Sequence, residues 1–518
     1  MNKRALLSVS DKRGLLDLAE ALQKKGFELI ATGGTQKMLQ ENGMKVTPIE
    51  SITGFPEAFS GRVKTMHPKI MGGLLFRRDS AEDKKQAKEL GIEPIDMAVV
   101  NLYPFEQTAE RGSSPPAGEA GTRGVTRAEQ IELIDIGGPT LLRSAAKNHA
   151  HVTVVCDPAD YERVIQEIEQ AGDTSPALRA ELAAKVFLRT AAYDAAIAKT
   201  LSDGMHTGVL MTGKKALRYG ENPHQSGAYY EVYQPAPKEG ELSGWKMHQG
   251  KELSYLNLLD ADAAWNLVHE FTEPTAACIK HANPSGVASH RKIEEAFQRA
   301  YDSDRLSAFG VIIAVNHQFT KDIAQKIVDQ KIFTEVVIAP SYEAGALEIL
   351  KQKPNIRALE LWGNINQFQV LRNALGGILV QDQDTKVVIE DDLKVVTKKK
   401  PTGEQIKDLL FAWKVVKHAK SNAIVFAKDK VTVGIGCGQT SRVDSTWIAA
   451  KRAGERAKGA VMASDAFFPF PDSIEEAAKH GIAAIIQPGG SMRDAEVFAK
   501  ADELGIAMVV TGVRAFRH

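Results

Sequence analysis

The first forty residues alternate short apolar runs with apolar stripes at helical spacing. Arg4 to Val9 reads as a strand, Ser10 and Asp11 as a helix N-cap, and Leu15, Leu16, Leu18, Ala19 and Leu22 as one helix face. Gly26 ends that helix and Phe27 to Ala31 is the next strand. Thr32-Gly33-Gly34-Thr35 is a tight turn, and Gln36 to Glu41 a second helix closed by Gly43. Met97 to Leu102 and Val152 to Cys156 read as further buried strands, and Leu178 to Ile197 as a long, Ala-rich amphipathic helix. Such alternation predicts an α/β fold with a parallel sheet and helices on its faces. Residues 111–122 form a low-complexity surface excursion within this first domain. Breaks at Ser202-Asp203-Gly204 and Thr212-Gly213-Lys214-Lys215 place a boundary near 200, giving domains over 1–199 and 200–518.

The second stretch is long for one core, so two lobes are expected in it. Thr275 to Ile279 is a strand leading into a Lys280-His281-Ala282-Asn283-Pro284-Ser285-Gly286 turn and a helix at 292–301. A hairpin at 423–435 leads into Gly436 to Arg442 and a helix near 444–457. The two units look alike, which hints at an internal duplication.

Composition narrows the class. The 518 residues carry 65 Lys+Arg against 65 Asp+Glu, so no net field grips nucleic acid or an anionic membrane. No window reaches the roughly 18 apolar residues of a membrane span, and the start meets charge too soon for a secretory signal. Cys156, Cys278 and Cys437 are far apart and odd in number, which gives no disulfide framework. A protein of the reducing cytoplasm is expected.

Candidate chemistry in the first domain lies in four loops, each expected after a strand, where open α/β sheets place ligands. Val9-Ser10-Asp11-Lys12 combines hydroxyl, helix N-terminus and cation, and Thr32-Gly33-Gly34-Thr35 lets backbone amides approach closely. Gly61-Arg62-Val63-Lys64-Thr65-Met66-His67-Pro68 adds two cations and a hydroxyl. All three suit a phosphate, because exposed amides and a helix dipole attract an anion that Arg or Lys then encloses. The plainer readings are an N-cap, a turn and a solvated charge pair. The fourth is Ile134-Asp135-Ile136-Gly137-Gly138-Pro139-Thr140, in which Gly-Gly ends a strand, Pro139 starts a helix, and Lys147 lies near that helix's end. A partly desolvated Lys147 approaching Asp135 would serve as proton donor and acceptor; otherwise it complements the helix dipole.

These motifs, with Asn101-Leu102-Tyr103-Pro104-Phe105 and Ala145-Ala146-Lys147-Asn148-His149, occur in an order that resembles the inosine monophosphate (IMP) cyclohydrolase domain of the bifunctional purine biosynthesis family. The resemblance implies a methylglyoxal-synthase-like fold. It also implies a nucleotide held by Val9 to Lys12, Thr32 to Thr35, Arg62 to Thr65, Asn101-Leu102 and Asp135-Ile136-Gly137. Lys147 matches the family's proton donor/acceptor for ring closure, with Tyr103 and Asp135 beside it in the catalytic set.

In the second domain, Arg218 and Tyr219 in Leu217-Arg218-Tyr219-Gly220-Glu221-Asn222-Pro223 suit a phosphate fork and a base-stacking ring. Lys280-His281 ends an apolar strand; a cation beside the imidazole favours its neutral, proton-accepting form, and the Lys suits an oxyanion. Phe467-Phe468-Pro469-Phe470 reads as core or as a stacking platform. Asp472 reads as the partner of a pterin-like amide or as a helix cap.

Together with Ser307-Ala308-Phe309-Gly310, Ser421-Asn422, Gly436 to Arg442 and Gly512-Val513-Arg514, these resemble the formyltransferase half of the same family, which has two cytidine-deaminase-like lobes. That half moves formyl from 10-formyltetrahydrofolate to aminoimidazole carboxamide ribonucleotide (AICAR). The resemblance makes His281 the base, Lys280 its electrostatic partner and Asn422 the holder of carboxamide and amine. Arg218, Tyr219, Gly310, Glu335 and Arg514 would bind nucleotide, and Arg442, Phe467, Asp472, Ser491 and Met492 the folate. It further implies a homodimer, with 10-formyltetrahydrofolate as co-substrate, no tightly bound cofactor and no catalytic metal. A zinc deaminase needs His-x-Glu and Pro-Cys-x-x-Cys, and none of the 13 histidines has Glu two residues on. A nucleotide-sensing module is the other alternative, against which Lys147 and Lys280-His281 argue.

Overall fold

The computed structural model describes residues 3–59, 61–103, 105–106, 125–234, 244–363 and 369–518. The excursion at 111–122 lies outside the described residues. The chain divides into two compact units, Met1–Thr212 with Glu231–Ala236, and Gly213–Tyr230 with Pro237–His518. Residue 199 falls inside the last turn of the Pro176–Leu201 helix.

The first unit holds a five-stranded parallel sheet of β1 (Arg4–Val9), β2 (Glu28–Ala31), β3 (Val46–Pro48), β4 (Met97–Asn101) and β5 (Thr153–Val155) in the order β3-β2-β1-β4-β5. All but the edge strand β3, which carries Thr47, are apolar on both sides, as a sheet covered on two faces requires. Leu7, Val9 and Leu29 face the Leu15–Lys24 and Tyr161–Ala171 helices. Leu6, Ile30, Ala98 and Val100 face the Pro68–Leu75, Gly137–Lys147 and Pro176–Leu201 helices. Strand order reverses between β1 and β4, so their C-terminal ends open the crevice where such sheets bind ligands.

Three local expectations change. Gly33 already belongs to the helix Gly33–Glu41, because a glycine at φ +42° lets the chain enter it directly from β2. Ile134 to Ile136 is no strand; it links the Arg127–Glu132 helix to the Gly137–Lys147 helix. The Gly61–Pro68 loop likewise follows a short helix, Ile49–Thr53, in place of a strand.

The second unit carries two small ribbons, β6 (Met211–Leu217, which begins in the first unit) with β7 (Gly227–Val232), and β14 (Val370–Ala374) with β15 (Gly377–Gln381). Its main sheet has twelve strands. One half contains β8 (Gly244–Gln249), β9 (Thr275–Lys280), β10 (Asn283–Ser289), β11 (Val311–Val315), β12 (Thr334–Ala339) and β13 (Arg357–Trp362). The other contains β16 (Lys394–Val395), β17 (Ile424–Lys428), β18 (Val431–Gly436), β19 (Val461–Ser464), β20 (Ala484–Gln487) and β21 (Ala507–Val510). The order β16-β21-β20-β19-β17-β18-β10-β9-β11-β12-β13-β8 is a palindrome of roles, joined by the antiparallel β10–β18 pair. The duplication therefore yields one continuous sheet with two like halves.

The Tyr255–Val268 and Gly403–Val416 helices share one core on a single face of that sheet, where Ala277, Ile279, Val425 and Ala427 point. The opposite face has a separate core in each half. Gly286 and Gly434 occupy matching places on that opposite face. A Cβ there would lie 2.0 Å from the Ala300 carbonyl and 2.1 Å from the Ala449 carbonyl, so only glycine lets each helix lie against its strand.

The matching of the halves also changes the expected register. Lys280-His281-Ala282-Asn283 is a tight hairpin turn, and Pro284, Ser285 and Gly286 belong to β10. Its counterpart is Lys428-Asp429-Lys430-Val431 between β17 and β18, not the Gly436 to Arg442 segment.

Candidate active sites

In the first unit the crevice is fastened by side chains that span strand ends. Asn101 accepts the Ser10 and Asp11 N–H groups at 2.6 and 2.9 Å and donates to the Asp11 carbonyl at 2.8 Å. Buried Thr35 accepts from the Val9 N–H at 3.0 Å, and Ser8 pairs with Thr32 at 3.1 Å. The Ser10–Lys12 loop, the Gly33–Glu41 helix start and Asn101 thus form one rigid floor. The Lys64 and Lys12 ammonium groups lie within 4 Å of where Cβ atoms on Gly33 and Gly34 would stand, so two cations gather over exposed amides. That is an anion cradle.

Asp135 closes the crevice from the other side. Its carboxylate accepts the Gly138 N–H at 2.9 Å, and its own N–H donates to the buried Tyr193 hydroxyl at 2.8 Å. Burial pushes the Asp135 carboxyl above its ordinary value, against the opposing pull of the Gly138 N–H, the Lys64 charge and the Gly137 N–H. A Cβ at Gly138 would come within 2.3 Å of the Asp135 carboxylate, and one at Gly137 within 2.9 Å of the Thr65 hydroxyl, which explains the Gly-Gly pair.

The remaining predicted residues divide. Leu102 is buried beneath the crevice, Val63 pairs with Ala58, and Tyr103 and Ile136 are exposed at its edge. Arg62 extends to solvent in an ion pair with Glu132. Lys147 stands ten residues along its helix from Gly137, about 15 Å at 1.5 Å per residue. It lines a separate groove of about 680 Å³ with Leu75, Arg143, Ser144, His149 and Phe187. Within one chain the structure does not bring Lys147 to Asp135.

In the second unit Lys280 and His281 stand at the β9–β10 turn, with the Lys280 ammonium donating to the Phe309 carbonyl at 2.6 Å. Asn283 ties this turn to the second half: it donates to the His281 carbonyl at 3.1 Å and accepts the Lys420 N–H at 2.9 Å. Lys420 leads directly into Ser421-Asn422. His281 and Asn422, distant in sequence, therefore lie on neighbouring loops at the junction of the two halves. Around the first half, the Arg218 guanidinium packs over the Tyr219 ring at 4.6 Å and bonds its hydroxyl at 2.6 Å. Glu335 accepts from Asn257 at 2.9 Å and pairs with Arg357 at 3.6 Å. Gly310, at φ +73°, donates its N–H to the Phe333 carbonyl beside Phe309.

Asn422 is held from every side. Its amide donates to the Gln439 and Thr440 carbonyls at 3.0 and 3.1 Å, and its oxygen accepts from Arg442 at 2.7 Å. Arg442 is 7% exposed and also engages the fully buried Asp465 and Ser464. The folate role that the resemblance implies for Arg442 thus meets a guanidinium already enclosed by protein. Phe468 is core, while Phe467 and Phe470 are exposed. Asp472 accepts the Ser473 N–H at the start of the Asp472–Lys479 helix. Ser491 and fully exposed Met492 form a loop after β20, and Arg514 lies over the Phe516 ring at 4.5 Å.

Known proteins resemble this chain in sequence over its whole length. The family model described as an MGS-like domain matches residues 14–140, and that of the AICARFT/IMPCHase bienzyme matches 145–452. A bifunctional purine biosynthesis protein PurH from Bacillus cereus is 49% identical over 526 residues, with all of both chains covered. One from another strain of that species is 50% identical, and one from Bacillus anthracis 49%, each over 528 residues and the whole of both chains. The chain belongs to this family. It is a bifunctional enzyme of purine biosynthesis with AICAR formyltransferase and IMP cyclohydrolase activities, on an MGS-like domain followed by the bienzyme region. A crystal structure of ForH is 35% identical over 39% of this chain and 99% of its own, at a TM-score of 0.34.

Sequence reasoning missed Tyr193, Asn283 and Asp465. A tyrosine on the apolar stripe of a predicted helix is a usable signal, since a buried hydroxyl needs a partner. Asn283 and Asp465 carry none, because their partners are distant in the chain.

Proposed function

We propose that formyl transfer takes place at the junction of the two sheet halves. The amine nitrogen of AICAR attacks the formyl carbon of 10-formyltetrahydrofolate, His281 takes the amine proton, Lys280 steadies the oxyanion, and the bond to the folate nitrogen breaks to release tetrahydrofolate. Asn422, with both amide hydrogens spent on carbonyls, offers an oxygen lone pair to the amine. Arg218, Tyr219, Gly310, Glu335 and Arg514 would hold the nucleotide, and Phe467, Asp472, Ser491 and Met492 the folate. The observation that supports this reading is the hydrogen-bonded link through Asn283 between the His281 turn and Lys420, which leads into Asn422.

Ring closure takes place in the first unit. The carboxamide nitrogen attacks the new formyl carbon and water leaves, giving IMP. The cations Lys12 and Lys64 with the amides at Ser10 and Gly33-Gly34 receive the phosphate. Asp135 and Lys64 stand where a proton must move, and orientation supplies much of the acceleration. Lys147 remains a proton donor/acceptor only if it reaches a crevice other than that of its own chain.

In this reading neither step uses a tightly bound cofactor or a catalytic metal, because the formyl group arrives already activated on the folate nitrogen and no water has to be turned into hydroxide. Among the described residues no helix is long and apolar enough to cross a membrane. A cytoplasmic homodimer acting on small molecules, with no nucleic-acid or membrane partner, completes the reading. In support of the dimer, the β14–β15 ribbon leaves Leu371, Ile378, Leu379 and Val380 exposed.

The test is separability. His281→Ala abolishes formyl transfer and leaves cyclisation of supplied formyl-AICAR intact, whereas Asp135→Asn does the reverse; equal loss of both steps in either variant refutes the two-site assignment. Lys147→Ala belongs in the same series, and unchanged cyclisation removes it from the mechanism.

A further inference from the structure

The turn that carries His281 is unfavourable for its own residues. His281 and Ala282 have φ of +52° and +57°. A two-residue hairpin turn with both centres in the left-handed region favours Asn-Gly, because a Cβ crowds the backbone there. Something outside the turn must hold it.

The holder is Asp260, on the Tyr255–Val268 helix that packs beneath the sheet. Its carboxylate accepts the Ala282 N–H at 2.7 Å. The turn is therefore held at the Ala282 amide by a half-buried carboxylate, while Asn283 holds the His281 carbonyl.

The duplicated half repeats the device. Asp408, on the Gly403–Val416 helix, accepts the Asp429 and Lys430 N–H groups at 2.9 and 2.8 Å. Those residues have φ of +54° and +55°. Helix, carboxylate and turn coincide in the two halves, but only the first turn bears an imidazole beside Asn422. One copy of the clamp thus faces the reacting groups, and the other is an internal control with the same structural duty.

We propose that Asp260 is a positioning residue for formyl transfer: its carboxylate clamps the His281-Ala282 turn and so fixes the direction of the His281 side chain. A misdirected base loses reaction rate far faster than it loses substrate affinity, since alignment errors of about 1 Å cost up to about a hundredfold. The inference rests on His281 being the base.

The experiment compares full-length variants for tetrahydrofolate release, for cyclisation of supplied formyl-AICAR, and for urea midpoint. In Asp260→Asn, kcat for transfer falls about ten- to hundredfold, the AICAR KM stays within about twofold, and cyclisation is unchanged. Asp408→Asn lowers the urea midpoint by a like amount while transfer kcat stays within about twofold. Adding Ala282→Gly to Asp260→Asn restores part of the kcat, because glycine accepts positive φ without a clamp. Should Asp260→Asn not accumulate folded, Asp260→Glu keeps the charge but shifts the oxygens, and it shows the same kcat loss at an unchanged midpoint. Equal kcat losses in the Asp260 and Asp408 variants, or a wild-type kcat in Asp260→Asn or Asp260→Glu, overturn the proposal. His281→Ala, assayed alongside, separates the two failures: an active His281→Ala removes the base assignment, whereas an inactive one beside an active Asp260→Asn removes the clamp alone.

Discussion

Replacing Arg442 by methionine distinguishes a buried anchor from a folate ligand. In the folded protein this guanidinium, 7% exposed, pairs with Asp465, donates to Ser464 at 3.0 Å and holds the Asn422 oxygen at 2.7 Å. Asp465 is 0% exposed, and among the described residues the only other side-chain donor to its carboxylate is the Ser421 hydroxyl. Arg442→Met keeps the aliphatic volume and leaves a buried carboxylate without its counter-charge. Removing one member of a buried pair costs about 3–5 kcal/mol, and the orphaned Asn422 oxygen about 1 kcal/mol more. Adding Asp465→Asn removes the stranded charge and recovers roughly half of that loss. Urea titration followed by tryptophan fluorescence measures both, since Trp413 and Trp447 lie in this unit. Transfer kcat falls about tenfold or more, as the Asn422 amide loses the contact that fixes its oxygen, while cyclisation in the other unit is untouched. An Arg442→Met protein within about 1 kcal/mol of wild type, whose sole defect is a raised KM for 10-formyltetrahydrofolate, would refute this reasoning.

Three further outcomes are expected. His418 is buried, and burial lowers its imidazole below the ordinary 6.5 despite its contact with Glu270. The unfolded chain therefore takes up protons first as pH falls, so stability present above 6.5 declines below it; a urea midpoint that does not drop between pH 7.5 and 5.5 contradicts this. Gly434→Ala forces a Cβ to within 2.1 Å of the Ala449 carbonyl and destabilises the second unit by about 3 kcal/mol; a shift under about 1 kcal/mol shows that the helix yields freely. Exhaustive chelation leaves both activities unchanged, and zinc at about one equivalent per chain, with transfer lost on its removal and regained on its return, reinstates a metal-dependent site.

How much was legible in the sequence follows from the range of the forces concerned. The strands Arg4–Val9 and Met97–Asn101, the helix face at Leu15 to Leu22 and the α/β class rest on periodicity, which neighbouring residues impose on one another. The loops around Ser10, Gly33 and Asp135 were legible as anion-binding candidates because glycine, hydroxyl and cation chemistry is local. The Lys280-His281 pair was visible for the same reason. The strand expected at Ile134 to Ile136 was not formed, because the Asp135 N–H is claimed by Tyr193 from a distant helix. Whether Arg442 faces solvent or Asp465, and whether Lys147 faces Asp135 or a separate groove, depends on which helix face packs inward. Local sequence is silent on that choice. Pro284-Ser285-Gly286 read as a turn, yet Gly286 is needed in a strand, where the Ala300 carbonyl leaves no room for a Cβ. The sequence by itself determined the elements, the family and the kinds of side chain available for chemistry. Only the tertiary structure decided which of them meet, because His281, Asn283 and Lys420, two residues before Asn422, are joined by hydrogen bonds that exist only once β10 and β18 have paired and the two halves have closed into one sheet.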